Sequence, residues 1–107
     1  MTAAPAVVTI RRGSVHVARA VYDRYFAGLE AVILLRREDD LHILPVRDAA
    51  AGGFLLKRRN SAGDRVITAA EFLRRQGLAD EFEGEMAAIW SSQHAALVVP
   101  AAFVMQT

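Results

Sequence analysis

The chain has 107 residues, 53% of them hydrophobic and 23% charged, a globular balance with enough apolar surface to offset the entropy of folding. That length suits one domain, or two small structural repeats around a single core. It holds no cysteine, which excludes disulfide scaffolds, thiolate zinc sites and cysteine nucleophiles, and its formal charge of +1 names no partner.

Residues 1–10 carry no Lys or Arg ahead of a short apolar stretch, so the positive region of a secretory signal is missing. No apolar run reaches the roughly 18 residues of a membrane-spanning helix. The expectation is a cytoplasmic protein with no membrane association. Val7-Val8-Thr9-Ile10-Arg11-Arg12 reads as a strand with a basic exit, Gly13-Ser14 as a turn, and Val15-His16-Val17 as the returning strand. Val21, Tyr22, Tyr25 and Phe26 then form one apolar stripe at helical spacing, ended by Gly28. Residues 31–35 read as a strand, 36–40 as a turn and 41–46 as the strand that returns. Residues 47–53 form a small, flexible linker.

The plan then repeats. Phe54-Leu55-Leu56-Lys57-Arg58-Arg59 is a second strand with a basic exit, Asn60-Ser61-Ala62-Gly63-Asp64 a longer turn, and Val66-Ile67-Thr68 a second β-branched run. Ala69, Phe72, Leu73 and Gln76 share a helix face ended by Gly77, and residues 86–90, 91–94 and 95–100 form a second hairpin. The two hairpins align without a gap, placing Pro45 over Pro100, Ile43 over Val98 and Leu35 over Trp90. Residues 101–107 extend the last strand or fray. Repeat one is thus residues 7–46 and repeat two residues 54–100, within a single domain of 1–107.

Strand, turn, β-branched strand, short helix ending in Gly-Leu and then a hairpin ending in proline resembles the repeat of AbrB/MraZ-type bacterial DNA-binding proteins. The closest stretch is Asn60-Ser61-Ala62-Gly63-Asp64-Arg65-Val66-Ile67-Thr68-Ala69-Ala70-Glu71-Phe72-Leu73-Arg74-Arg75-Gln76-Gly77-Leu78. The resemblance implies an α+β, mainly β fold in which two tandem strand-strand-helix-hairpin repeats form one swapped-hairpin, barrel-like domain. The chain departs from that pattern at Ala18 and Ala69, where the family usually has proline, and at Asp64, which separates Gly63 from Arg65.

Charge is partitioned along the chain. Residues 1–37 hold six basic and two acidic residues, 38–56 one and four, 57–75 six and two, and 76–107 none and four. Basic charge is concentrated in the first part of each repeat, so Arg11, Arg12, Arg19, Arg24, Lys57, Arg58, Arg59, Arg65, Arg74 and Arg75 are the candidate nucleic-acid-binding residues. Arginine outnumbers lysine twelve to one, and its planar fork suits phosphates and guanine edges alike.

His16, His42 and His94 are far apart in sequence and read as something other than metal ligands, His16 and His42 as surface or edge residues. No serine has the surroundings of a nucleophile elbow, and Gly52-Gly53 lacks the Lys-Ser/Thr of a phosphate loop. No catalytic, cofactor or metal site is expected. Trp90 reads as an anchor of the core or of an interface. The first functional expectation is a small DNA-binding transcriptional regulator or antitoxin-like module that contacts phosphates of double-stranded DNA and forms a homo-oligomer. The alternative is a non-catalytic protein-interaction or accessory protein on the same scaffold, and the third a small enzyme or ligand carrier, which needs a deep polar pocket.

Overall fold

Alternation of apolar and polar residues with a period of two builds most of the chain into strands. The computed structural model describes residues 6–47 and 53–104. In order these form β1 (Ala6–Arg11), β2 (Ser14–Val17), α1 (Arg19–Tyr25), β3 (Ala31–Arg37), β4 (Asp40–Val46), β5 (Phe54–Leu55), β6 (Lys57–Arg58), β7 (Arg65–Thr68), α2 (Ala70–Arg75), β8 (Glu83–Ser91) and β9 (Ala96–Val99). All pairings are antiparallel, in the order β5-β3-β4-β9-β8-β1-β2-β7-β6. The two ends of that order, β5 and β6, are consecutive pieces of one extended segment interrupted at Leu56. The Leu56 N–H donates to the Glu30 carbonyl at 2.8 Å. The sheet therefore curls into a nearly closed barrel, which leaves little unpaired edge.

Inside, cross-strand rows stack apolar side chains. Leu34, Ile43, Leu97 and Trp90 form one row, and Val15 with Ile67 another. Val8, Ile10, Val17, Val32, Leu41, Leu56 and Val99 fill the rest. Each such side chain, fully buried, contributes about 1.5–3 kcal/mol. The helices are too short to be stable alone and are held by their apolar stripes. Tyr22 and Phe26 of α1 and Leu73 of α2 are buried, and Tyr25 stacks on Trp90 with ring centroids 5.2 Å apart. Trp90 thus anchors the core at one barrel end. Gly28 and Gly77 take φ of 78° and 95°, the left-handed region that ends helices, and behind Gly77 the Leu78 N–H reaches back to the Leu73 carbonyl at 3.0 Å.

Four expectations need correction or placement. The gap-free match of the hairpins puts inward residues over outward ones: Ile43 is fully buried whereas Val98 lies beside His42 on the outer row, and Leu35 faces out whereas Trp90 faces in. A one-residue slip flips every side chain to the other face of a sheet, so that register is out by one. His42 is not an edge residue; it is 3% exposed, with the ring of His94 edge-on to it at 5.2 Å. Beyond β9 the chain neither extends the strand nor frays as far as Val104: Ala101 turns with φ 58°, Ala102 and Phe103 are buried, and the Phe103 N–H donates to the Asp39 carbonyl at 2.9 Å. Of the expected linker, residues 48–52 lie outside the described residues, as do residues 105–107 of the tail.

Candidate nucleic-acid interface

The ten basic candidates fall into three groups rather than on one face. The first surrounds α2. Arg12, in the β1–β2 turn, pairs with Glu83 at 3.3 Å, Arg74 with Asp80 at 3.0 Å, and Arg75 with Glu71 one helical turn back. Asp80, Glu81 and Glu83 gather here beside Arg12, so carboxylates offset the local positive charge. These are exposed ion pairs and contribute little to stability.

The second group surrounds α1 and the long β6–β7 turn. Arg19 Nε pairs with Asp23 at 3.3 Å, Arg24 lies over the Tyr25 ring and Arg65 over the Tyr22 ring, 4.0 Å from its centroid. Arg58 folds back on its own turn, donating to the carbonyls of Asn60 and Ser61, each at 3.1 Å. The turn itself is tied to the helix. Asp64 Oδ1 accepts the backbone N–H of Arg19 at 2.9 Å, and its Oδ2 accepts from Asn60 Nδ2 at 3.0 Å. Ala18, at the N-terminus of α1, has no side-chain oxygen to offer, so Asp64 from a distant turn satisfies the orphan donor. The Asn60 side chain and then the Arg19 N–H hold the Asp64 carboxyl below its ordinary pKa. At α2 the Gly13 carbonyl plays the matching part, accepting the Ala69 N–H at 2.9 Å.

The third group lies on the outer face of β1, β2, β7 and β6. Pairing places Thr9, His16, Val66 and Lys57 in one row and Arg11, Ser14 and Thr68 in the next. Arg59 follows β6, its backbone N–H donating to the Asp64 carbonyl at 2.7 Å. Among the described residues Arg11, Lys57 and Arg59 have no carboxylate within 4.0 Å, and all three are exposed. His16 sits between them. Burial first, then the charges of Arg59 and Arg11, lower its pKa, and its Nδ1 is enclosed with no hydrogen-bond partner. The face thus presents fixed cations with hydroxyls between them, the chemistry that engages phosphate oxygens.

His16, Ser14 and Thr68 were not among the sequence candidates. The signal was present in the alternation of Thr9 and Arg11 with Ser14 and His16, but their union with Lys57 depends on the β2–β7 pairing. Asp64 as the cap of α1 was likewise out of reach, since the two are 45 residues apart.

Elsewhere, a groove of about 740 Å³ runs between the loop after α2 and the 101–104 turn, lined by Leu78, Phe82, Met86 and Phe103. Its one guanidinium is committed: Arg36 bonds Asp39 at 2.9 Å and lies over the Phe103 ring. Among the described residues no group of three or more His, Asp or Glu side chains is placed to hold a metal ion, and no helix is long and apolar enough to cross a membrane. Compared with known proteins, the chain matches no family model, no curated protein and no solved structure.

Proposed function

We propose that this protein is a DNA-binding regulator or antitoxin-like module on a tandem swapped-hairpin barrel similar to the AbrB/MraZ type, and that it engages duplex phosphates through the outer face of β1, β2, β7 and β6. What supports the architecture is that the pairing scheme survives exchange of the halves. With β1 exchanged for the β5–β6 segment, β2 for β7, β3 for β8 and β4 for β9, the β1·β2 pair becomes β6·β7, β3·β4 becomes β8·β9, and β1·β8 becomes β3·β5. The pairs β2·β7 and β4·β9 map onto themselves. Buried residues stay buried when Ile10 is matched with Leu56, Val15 with Ile67, Leu34 with Ala88, Leu41 with Leu97 and Ile43 with Val99. In this reading each β3–β4-type hairpin completes the other half's first strand.

The observation that carries the functional reading is the set of unpaired cations, Arg11, Lys57 and Arg59, on one sheet face around the β2–β7 seam. Phosphate contacts of this kind release counterions, so binding weakens steeply with salt. Titrating a labelled DNA duplex with the protein at increasing salt tests it: saturable binding with a log–log slope of roughly −3, about −0.9 per phosphate neutralised, is expected, and no binding at low salt contradicts it. Homo-oligomerisation belongs to the same proposal, because a two-fold assembly repeats the contact.

A second reading rests on a different surface. Val7, Leu55 and Ile89 are 48%, 52% and 59% exposed on the outside of β1, β5 and β8, and exposed apolar side chains in number suit a protein partner. On that reading the scaffold is an accessory protein, and capture of its partner is insensitive to salt and to Arg11, Lys57 and Arg59.

A further inference from the structure

The imidazole of His16 stands at the centre of the basic face with a nitrogen that nothing in the barrel satisfies. Its cross-strand neighbours are Thr9 on β1 and Val66 on β7. Every charged group near it can be placed. Arg11 lies diagonally across on β1, Lys57 lies one strand beyond Val66, and Arg59 follows on the same side. Of the acids, Asp64 lies in the turn just before β7 but has both carboxylate oxygens occupied by Arg19 N–H and Asn60 Nδ2. Glu85 and Glu83 lie one strand further off on β8, opposite Thr9 and Arg11, and Glu83 is paired with Arg12. Among the described residues no acceptor therefore reaches Nδ1, which is enclosed and unpartnered. An unsatisfied polar atom of this kind opposes the compact state, and burial, then the charges of Arg59 and Arg11, oppose its protonation.

We infer that His16 is a proton-coupled phosphate contact: a backbone phosphate of the bound duplex, seated among Arg11, Lys57 and Arg59, supplies the acceptor that Nδ1 lacks, and the imidazole takes up one proton from solvent as the phosphate arrives. This inference rests on the DNA-binding reading above. The electrostatics run in one direction. In the free protein burial, then the charges of Arg59 and Arg11, lower the pKa of His16 and favour the neutral ring. A phosphodiester, which is anionic across this range, cancels the neighbouring cations and favours the imidazolium. Both ring nitrogens are then donors, and the added N–H⁺···O⁻ bond is of the charge-assisted class. Because Nδ1 is enclosed in the free protein, seating the phosphate requires the side chains that cover it to move aside. By linkage, if binding raises the pKa of His16, lowering the pH tightens binding. His42 and His94 are on β4 and the β8–β9 turn, away from this face, and His42 serves as an internal control.

The test measures affinity for a fluorescein-labelled DNA duplex at constant ionic strength from about pH 8 to about pH 6, the range in which His titrates, for the wild type and for His16→Gln. In the wild type the dissociation constant should fall as the pH falls, with a limiting slope of about tenfold per pH unit for one proton, and in H16Q the profile should be flat. Because H16Q bears on the fold as well, the His16 ring protons are also followed by NMR in the wild type: their titration midpoint should move to higher pH when duplex saturates the protein, while that of His42 stays. Binding with no pH dependence, an equal dependence in H16Q, or an unmoved His16 midpoint overturns the inference and leaves the DNA-binding reading standing. No binding at any pH overturns both.

Discussion

Two outward faces of one barrel carry opposite chemistry. Around the β2–β7 seam the outer rows are Thr9, His16, Val66 and Lys57, then Arg11, Ser14 and Thr68. Around the β4–β9 seam the outer row is Leu35, His42, Val98 and Ile89, with Ile33 and Leu44 in the next. The seams occupy equivalent places in the pairing scheme, and the inward residues at both are aliphatic, so the difference does not arise from the core. It arises from the alternate positions, which the fold leaves free. Interior positions of a barrel are constrained by packing density, whereas outward ones record what the surface meets. The scaffold therefore carries exposed cations outside the β2–β7 seam and exposed Leu35 and Ile89 outside the β4–β9 seam.

The sharpest way to break this comparison is to remove the turn that frames the basic face. Gly13 has φ 80°, and a Cβ there would stand 2.6 Å from the Ala70 Cβ. Gly13→Ala combines left-handed strain with overpacking and should destabilise the protein by about 3 kcal/mol, read as a lowered urea midpoint. Gly28→Ala has the same backbone strain with open space around it and should cost only about 1 kcal/mol. Equal effects at the two positions would show that the close approach of the β1–β2 turn to α2 is unimportant.

A smaller effect is read by pH. His42 is buried, and burial, followed by the charges of His94 and Arg37, lowers its pKa below the ordinary 6.5, with Asp40 opposing. The folded state then binds fewer protons than the unfolded chain, so stability is fully present above pH 6.5 and is lost as the pH falls below it toward the folded pKa. The melting temperature should drop on acidification through that window, and His42→Leu should reduce the drop. Smaller again is the loss of the α1 cap: Asp64→Ala should lower Tm by about 5 °C. Least of all, Ile89→Ser, at a position 59% exposed, should change stability by no more than about 0.5 kcal/mol; a larger loss would mean that the apolar face is part of the fold rather than a surface.

Much of this architecture was legible in the residues. Val15-His16-Val17 and Val66-Ile67-Thr68 read as strands because β-branched residues fit a pleated surface, and the stripe of Val21, Tyr22, Tyr25 and Phe26 marked α1 because its period is helical. What stayed hidden depends on partners distant in the chain. The gap-free match of Ile43 with Val98 sets an inward residue against an outward one, which the pairing of Ile43 with Leu97 reveals and the sequence alone does not. The segment around Leu56 looks like one strand, and that it closes the barrel by pairing with β3 at one end and β7 at the other cannot be read from local pattern. Of the ten candidate cations, Arg11, Lys57 and Arg59 converge on one face, and Arg12, Arg19, Arg74 and Arg75 are engaged by carboxylates. Charge along the sequence located the basic segments but not their neutralising partners, because Glu83 reaches Arg12 only through the β1–β8 pairing.

The most direct measurement is duplex DNA binding by two variants side by side, each checked for an unchanged fold. One, Arg11→Ala/Lys57→Ala/Arg59→Ala, empties the basic face; the other, Leu35→Ser/Ile89→Ser, alters the apolar one. The account expects the first to lose about a hundredfold in affinity and most of the salt dependence, and the second to bind as the wild type does. DNA binding that is indifferent to the three cations, or that is lost with Leu35 and Ile89 instead, contradicts it.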